Sequence, residues 1–144
     1  MLFIDASVIV AIIGLEEDAE HLMDRLSEDE GPFYVSALVR MEATLALTRQ
    51  MAEAQGRNKP ATPEIVAKAR RLVDQFIVDL EAREAMISGD VGTKALDAAQ
   101  LYGKIVNHPA KLNLGDCFTY ACAKAYRTKI AYKGDDFKET DLGW

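Results

Sequence analysis

Acidic side chains occur at four places in the sequence where a carboxylate is unusual. Asp5 directly follows the apolar run 2–4, and a hydroxyl, that of Ser7, comes two residues later. Glu42 lies within an apolar helical segment, and Asp116 lies in the first turn of a second apolar helix. The adjacent Asp135 and Asp136 lie in a turn near the C-terminus. An ionised carboxylate is costly to bury without partners, so apolar strands rarely end on one by chance.

Carboxylates that converge on one place need a positive charge beside them. Three or four of them within a few ångströms would repel one another and could not all stay ionised. Mg²⁺ and Mn²⁺ are hard ions that bind carboxylate and water oxygens, with few protein ligands directly bound. Such ions generate hydroxide from water and stabilise the charge on a transferring phosphoryl group. If the fold brings the acidic residues together, the sequence predicts a metal site for this chemistry.

The pattern of apolar residues predicts the elements that would position these acids. Strands are expected at 2–5, 33–35, 85–88 and 129–132, and helices at 7–14, 16–28, 36–55, 62–80, 91–106 and 114–126, with a loop at 56–61 between two long helices. Alternation of strands and helices indicates an α/β fold with a parallel sheet and helices on both faces. In parallel sheets functional groups gather at the carboxyl ends of the strands, which is where Asp5 falls.

Three of the acidic positions also have ordinary structural explanations. Asp5 can cap the helix that follows it, with Ser7 as a competing cap. Asp116 lies in the first turn of a helix, where the macrodipole favours a carboxylate by about 0.3–1 kcal/mol. Asp135 and Asp136 lie in a turn, where aspartate is common. The functional interpretation therefore depends on the combination of positions.

Glu42 is less easily explained as a surface residue. Residues four, seven or eight apart on a helix share a face, so Glu42 is expected to belong to a stripe with Leu38, Leu45 and Ala46. That stripe is apolar and is expected to pack inward. A solvated glutamate would lie on the opposite side of the helix.

Length, composition and charge restrict the class of protein. The chain has 144 residues, 49% of them hydrophobic, which predicts one domain over 1–144 with a substantial core. The net charge of −6 argues against binding nucleic acid through a broad positive field, but it does not exclude a nuclease with a metal site. No apolar run approaches the roughly 20 residues of a membrane span, and no signal peptide is apparent. Cys117 and Cys122 are expected to be buried free thiols in a reducing cytoplasm.

Four sequence blocks together resemble the PIN-domain ribonucleases, and especially the VapC-type toxins of bacterial toxin–antitoxin systems. The blocks are 2–7 with Asp5 and Ser7, 36–42 with Glu42, 112–123 with Asp116, and the Tyr-Lys-Gly-Asp-Asp-Phe run at 132–137. They occur in the expected order along essentially the whole chain. The last two blocks are more specific than the block around Asp5.

The resemblance implies a PIN-like three-layer α/β/α fold with a parallel sheet of about five strands. It also implies a Mg²⁺-dependent endoribonuclease, with Mn²⁺ as an alternative ion, that cleaves RNA with metal-activated water and is silenced by a cognate antitoxin. Homodimerisation is expected on the same ground, with no membrane association. The helices at 16–28 and 36–55 are candidates to supply an apolar groove for an antitoxin helix.

By match to the family, Asp5, Glu42 and Asp116 are the catalytic acids, and Asp5 and Asp116 are the expected metal ligands. The Gly-x-Asp-Phe pattern favours Asp136 as the fourth acid, although Asp135 could serve instead. Ser7 matches a position near the waters of the metal site and is a supporting residue. Candidate cations for holding the RNA are Arg40, Lys104, Lys111, Lys124 and Lys133.

Other classes of protein fit less well. A PIN-like RNA-binding or interaction module with little catalysis is the main alternative, but it would be expected to lack one of the acids. A receiver-type signalling domain needs an adjacent acidic pair after the first strand, and Asp5 is followed by Ala6. A haloacid-dehalogenase-type phosphatase needs Asp-x-Asp there, and the second position is Ser7.

Overall fold

A parallel sheet of four strands forms the centre of the fold in the computed structural model, which describes residues 1–56 and 58–144. The strands are β1 (Leu2–Ile4), β2 (Phe33–Val35), β3 (Arg83–Glu84) and β4 (Lys129–Ala131), in the spatial order β3-β2-β1-β4. Phe3 of the inner strand β1 is in register with Tyr34 of β2 and Ile130 of β4. All three residues of β1 are buried, as expected for a strand that is covered on both faces.

Six helices flank the sheet within these described ranges. They are α1 (Ala6–Ile13), α2 (Ala19–Ser27), α3 (Ala37–Ala54), α4 (Pro63–Asp79), α5 (Gly89–Tyr102) and α6 (Leu114–Tyr126), with a 3₁₀ turn at Lys104–Val106. The predicted α/β fold class is therefore confirmed. No helix in the described part of the chain is both long and apolar enough to cross a membrane. Cys117 and Cys122 are buried and free.

Side-chain caps begin the two long helices where the sequence predicts them. Val39 N–H donates to the buried Ser36 Oγ (3.2 Å) at the start of α3. Ile65 N–H donates to Thr62 Oγ1 (3.3 Å), and Pro63 occupies the first turn of α4. The two helices pack against each other as the predicted hairpin. Arg57, in the loop that connects them, lies outside the described residues.

The sheet has the four strands that the pattern of apolar residues predicts, one fewer than the family resemblance implies. Instead of about five strands, the described residues form four, and the C-terminal segment adds only a single parallel bridge between Ile130 and Gly143. Ile130 N–H donates to Leu142 O (2.8 Å), and Trp144 N–H donates to Ile130 O (3.1 Å).

Two predicted elements are displaced along the chain. The strand expected at 85–88 is β3 at Arg83–Glu84; Ala85 follows it and donates its N–H to Val35 O (2.7 Å). The helix expected at 91–106 ends at Tyr102, because Gly103 is extended and a Cβ there would overlap Ala99 O.

The Ser36 cap is predicted to stabilise the helix that carries Glu42. Ser36→Ala removes the acceptor for Val39 N–H, so the free energy of unfolding should fall by about 1 kcal/mol in urea denaturation. Ser27→Ala is the matched control, because Ser27 is exposed near the end of α2 and donates only to Asp24 O. Its effect should stay within about 0.5 kcal/mol. Equal losses in the two variants would contradict the role given to the cap.

Candidate active site

Asp5 is held at the end of β1 through both of its carboxylate oxygens. Oδ2 accepts from Ser7 N–H (3.0 Å) and Ser7 Oγ–H (2.5 Å), while Oδ1 accepts from Thr119 Oγ1–H (3.2 Å) on α6. Asp5 N–H donates to Ala131 O (2.9 Å) at the end of β4. Asp5 therefore caps α1, as its ordinary explanation predicts, and is also tied to a second helix and to the neighbouring strand.

Ser7 links Asp5 to the segment after β4. Its Oγ accepts from Lys133 N–H (3.0 Å) while it donates to Asp5. Because the same hydroxyl serves both partners, Ser7 fixes the Asp5 carboxylate relative to the segment after β4.

Glu42 reaches the start of α6 from α3. A Cβ at residue 115 would overlap both carboxylate oxygens of Glu42, so only glycine permits this approach. Burial, and then the negative charge of Asp5, raise the pKa of Glu42. The half-buried Glu42 carboxylate thus lies within electrostatic reach of Asp5.

The inward stripe predicted for α3 is wrong. Leu45 is 42% exposed, and the buried apolar side of the helix carries Val39, Ala43 and Leu47. The buried side of α3 differs from the predicted one because the helix packs against α1, α4 and α6 together. Glu42 lies at the margin of that side, next to solvent.

Asp116 belongs to a capping box at the start of α6. Its N–H donates to Asn113 Oδ1 (2.9 Å), and its Oδ2 accepts from Asn113 N–H (3.0 Å). Burial raises the pKa of Asp116 to about 7, helped by the charges of Asp136, Asp5 and Glu42 and opposed by the hydrogen bond from Asn113. Asp116 is thus in electrostatic contact with all three of these acids.

Asp136 and Asp135 have different surroundings in the loop after β4. Partial burial, the charge of Asp5 and the charge of Asp135 raise the pKa of Asp136. Asp135 is 83% exposed at its side chain and pairs with Lys138 Nζ (3.1 Å). Phe137 is buried and its ring packs edge-on against Tyr132, which holds the loop in place. The acidic cluster is defined here as Asp5, Glu42, Asp116 and Asp136.

The donor chemistry of the acidic cluster fits a hard divalent cation. Burial raises the pKa of Glu42, Asp116 and Asp136, and the negative charge of neighbouring acids adds to it, which a bound cation would relieve. Within residues 1–56 and 58–144, no three His, Cys, Asp or Glu side chains are placed to hold an ion together. Mg²⁺ usually keeps several waters and is bound by one or two carboxylates, which are the donors that the acidic cluster offers.

Thr119 and Gly115 take part in the site although the sequence interpretation did not single them out. Thr119 lies one helical turn after Asp116, so both face the same side, and its buried hydroxyl donates to Asp5. A hydroxyl three residues after the acid was an available signal. The contact of Gly115 with Glu42 joins residues far apart in the sequence and had no local signal.

Several of the cations expected to hold RNA already have partners. Arg40 makes two bonds to Asp74 (2.6 and 2.9 Å), and Lys124 pairs with Asp141 (2.9 Å). Lys133 Nζ pairs with both Glu16 (2.8 Å) and Asp18 (3.0 Å). Lys104 and Lys111 are exposed.

Comparisons with a family model and with known proteins agree on one family. The model of the PIN domain family matches residues 2–142. A VapC ribonuclease of Rhizobium meliloti (strain 1021) is 50% identical over 99% of this chain and 100% of its own length. Ribonuclease VapC42 of Mycobacterium tuberculosis (strain ATCC 25618 / H37Rv) is 33% identical over 98% of this chain and 96% of its own.

A solved structure has the same fold. The crystal structure of VapC20 of Mycobacterium tuberculosis, described as a sarcin-ricin loop cleaving toxin, superposes with a TM-score of 0.69 at 15% identity, over 99% of this chain and 96% of that one. The chain belongs to the PIN domain family and, within it, to the VapC ribonucleases. The resemblance seen in the sequence is therefore confirmed.

The raised pKa of Asp116 predicts how stability depends on pH in the metal-free protein. The folded state binds an extra proton between the usual pKa of an aspartate, 3.8, and about 7, so the free energy of unfolding should fall as pH rises through this window. Asp116→Asn keeps an acceptor for Asn113 N–H but cannot ionise. It should flatten this part of the profile, and at pH 8 its free energy of unfolding should exceed that of wild type by about 1 kcal/mol or more.

Thermal unfolding in EDTA from pH 4 to 8 measures this effect. Asp135→Asn removes a charge from the exposed neighbour and should leave the wild-type slope nearly unchanged. Parallel profiles for wild type and Asp116→Asn would show that Asp116 does not hold the extra proton.

Proposed function

We propose that the chain is the toxin of a toxin–antitoxin pair and hydrolyses RNA phosphodiester bonds as a Mg²⁺-dependent endoribonuclease, with Mn²⁺ as an alternative ion. The observation that carries the proposal is the acidic cluster, in which carboxylates from four separate parts of the chain lie within electrostatic reach of one another. The relatives named as VapC ribonucleases support the reaction class. The expected location is the cytoplasm, where the RNA would be met.

Asp5 and Asp116 are the residues we assign to holding the metal ion. Each keeps one carboxylate oxygen on a backbone N–H at a helix start, from Ser7 and from Asn113. When bound, the ion would lower the pKa of water and stabilise negative charge on the phosphoryl group. The hydroxyls of Ser7 and Thr119 keep the Asp5 carboxylate in one orientation.

Glu42 is the residue we assign to accepting the proton of the attacking water. Its raised pKa brings a carboxylate closer to the working pH, which improves a general base. Gly115 permits the position of its carboxylate. Asp136 adds a further negative group at the side of the cluster formed by the loop after β4.

The expected partners follow from the charge of the site. An RNA strand is the substrate, and a cognate antitoxin can block an acidic cleft with an arginine, whose guanidinium pairs bidentately with carboxylates. The surface near α2 and α3 remains the candidate for an antitoxin helix, and homodimerisation remains a prediction.

Cleavage of a labelled RNA in Mg²⁺ tests the function and the fourth acid together. Wild type should cut the RNA, and EDTA should stop it. Asp136→Asn should lower the rate by about 10²-fold or more, because a group that orients reacting atoms contributes on that scale. Asp135→Asn is the matched control and should retain most of the activity, since Asp135 is paired with Lys138.

The outcomes separate the alternatives. No cleavage by wild type in Mg²⁺ or Mn²⁺ would overturn the enzymatic proposal and favour a binding module. Loss of activity in Asp135→Asn with normal activity in Asp136→Asn would reverse the assignment of the fourth acid.

The contact between Gly115 and Glu42 predicts a change in activity without a matching change in stability. The atoms nearest to a Cβ at residue 115 belong to the flexible end of Glu42, so Gly115→Ala should displace that carboxylate while the free energy of unfolding stays within about 1 kcal/mol of wild type. RNA cleavage should fall by about 10²-fold. Gly92→Ala is the control, because nothing lies within 4 Å of a Cβ there. If Gly115→Ala cleaves RNA at the wild-type rate, the position of Glu42 is not needed.

A further inference from the structure

An open groove of about 610 Å³ runs between α1 and α3, away from the acidic cluster. Ser7 and Glu42 line its inner end, so the groove is continuous with the cluster. Part of its wall is formed by small and apolar side chains of the two helices, those of Ala6, Val10, Leu45 and Ala46. Glu16, Gln50, Lys133 and Gly134 also line it. Arg49 lies at its outer end.

Arg49 carries a positive charge on the same face of α3 as Glu42. The two are seven residues apart, which places them on one side of the helix at about 10 Å along its axis. Arg49 is exposed, and it has no ion-pair partner among residues 1–56 and 58–144. Lys133, the other cation of the groove, is held by Glu16 and Asp18.

This arrangement matches the charge of an RNA strand that passes the acidic cluster. Phosphates beside the one being cut would meet the carboxylates of the cluster, and the protein as a whole has a net charge of −6. A guanidinium at the outer end of the groove would attract a flanking phosphate and can bind it through two parallel hydrogen bonds. The apolar wall between Glu42 and Arg49 suits the face of a nucleobase, which packs on apolar groups.

A protein helix fits the groove less well. Such a partner is bound through large apolar anchors spaced along its face. The groove offers Leu45 at 42% exposure, whereas several apolar side chains outside it are more exposed, among them Leu15, Leu96, Ile105 and Leu114. The observations therefore favour RNA over a protein segment.

We propose that the groove between α1 and α3 is a substrate subsite in which Arg49 binds the RNA phosphate next to the scissile one and the apolar wall supports the adjoining base. The inference rests on the proposed function, because it takes the acidic cluster as the place of cleavage. It adds a binding residue that the sequence interpretation did not include among its candidate cations.

The first experiment measures binding of a labelled single-stranded oligoribonucleotide of mixed sequence at several salt concentrations. All proteins carry Asp116→Asn so that the RNA stays intact. Arg49→Ala should weaken binding by about tenfold, as expected for a lost hydrogen bond to a charged group, and should reduce the slope of log affinity against log salt by about 0.7. Arg49→Lys should restore part of the affinity. Arg71→Ala is the matched control, since Arg71 is exposed on α4 and does not line the groove.

The second experiment measures cleavage of the same RNA with Asp116 intact. Arg49→Ala should raise KM with little change in kcat, which a general loss of structure would not produce. If Arg49→Ala and Arg71→Ala have the same affinity, salt slope and KM while wild type cleaves RNA, the subsite is wrong and the proposed function stands. If Arg49→Ala impairs only binding of the antitoxin, the groove belongs to a protein partner. If wild type neither binds nor cleaves RNA, both proposals fail.

Discussion

Repulsion among the carboxylates of the acidic cluster is the constraint to which the surrounding structure responds. Burial together with the charges of its neighbours raises the pKa of Asp116 to about 7. A fold that brings such groups together is less stable at neutral pH than one that separates them. The arrangement is understandable when a cation completes it, and the family to which the chain belongs is one of ribonucleases that are generally metal-dependent.

Helix starts provide part of the compensation. Asp5 accepts an N–H at the start of α1, and Asp116 accepts an N–H at the start of α6. Both helices therefore direct the positive ends of their dipoles toward the cluster. The capping roles and the proposed metal-binding roles of these two acids are thus compatible, because each capping bond uses a lone pair and leaves others free.

Local sequence patterns predicted most of the fold and the candidate acids. Asp5 after an apolar run, Pro63 after Thr62, and strands alternating with helices are short-range signals, and each corresponds to an observed element. Which side of α3 is buried could not be predicted in this way, because it depends on which helices pack against it. The end of α5 at Gly103 and the approach of Glu42 to Gly115 likewise depend on close backbone contacts that no periodicity encodes. The catalytic roles of Asp5, Glu42, Asp116 and Asp136 remain predictions.

The titration of the Asp116 carboxyl group, followed by ¹³C NMR with and without Mg²⁺, tests the central claim most directly. Without the ion, the account predicts a pKa of about 7. With saturating Mg²⁺, the pKa should fall well below that value, because a cation beside the carboxylate favours its ionised form. A titration curve that Mg²⁺ leaves unchanged would contradict the claim that the acidic cluster is a metal site.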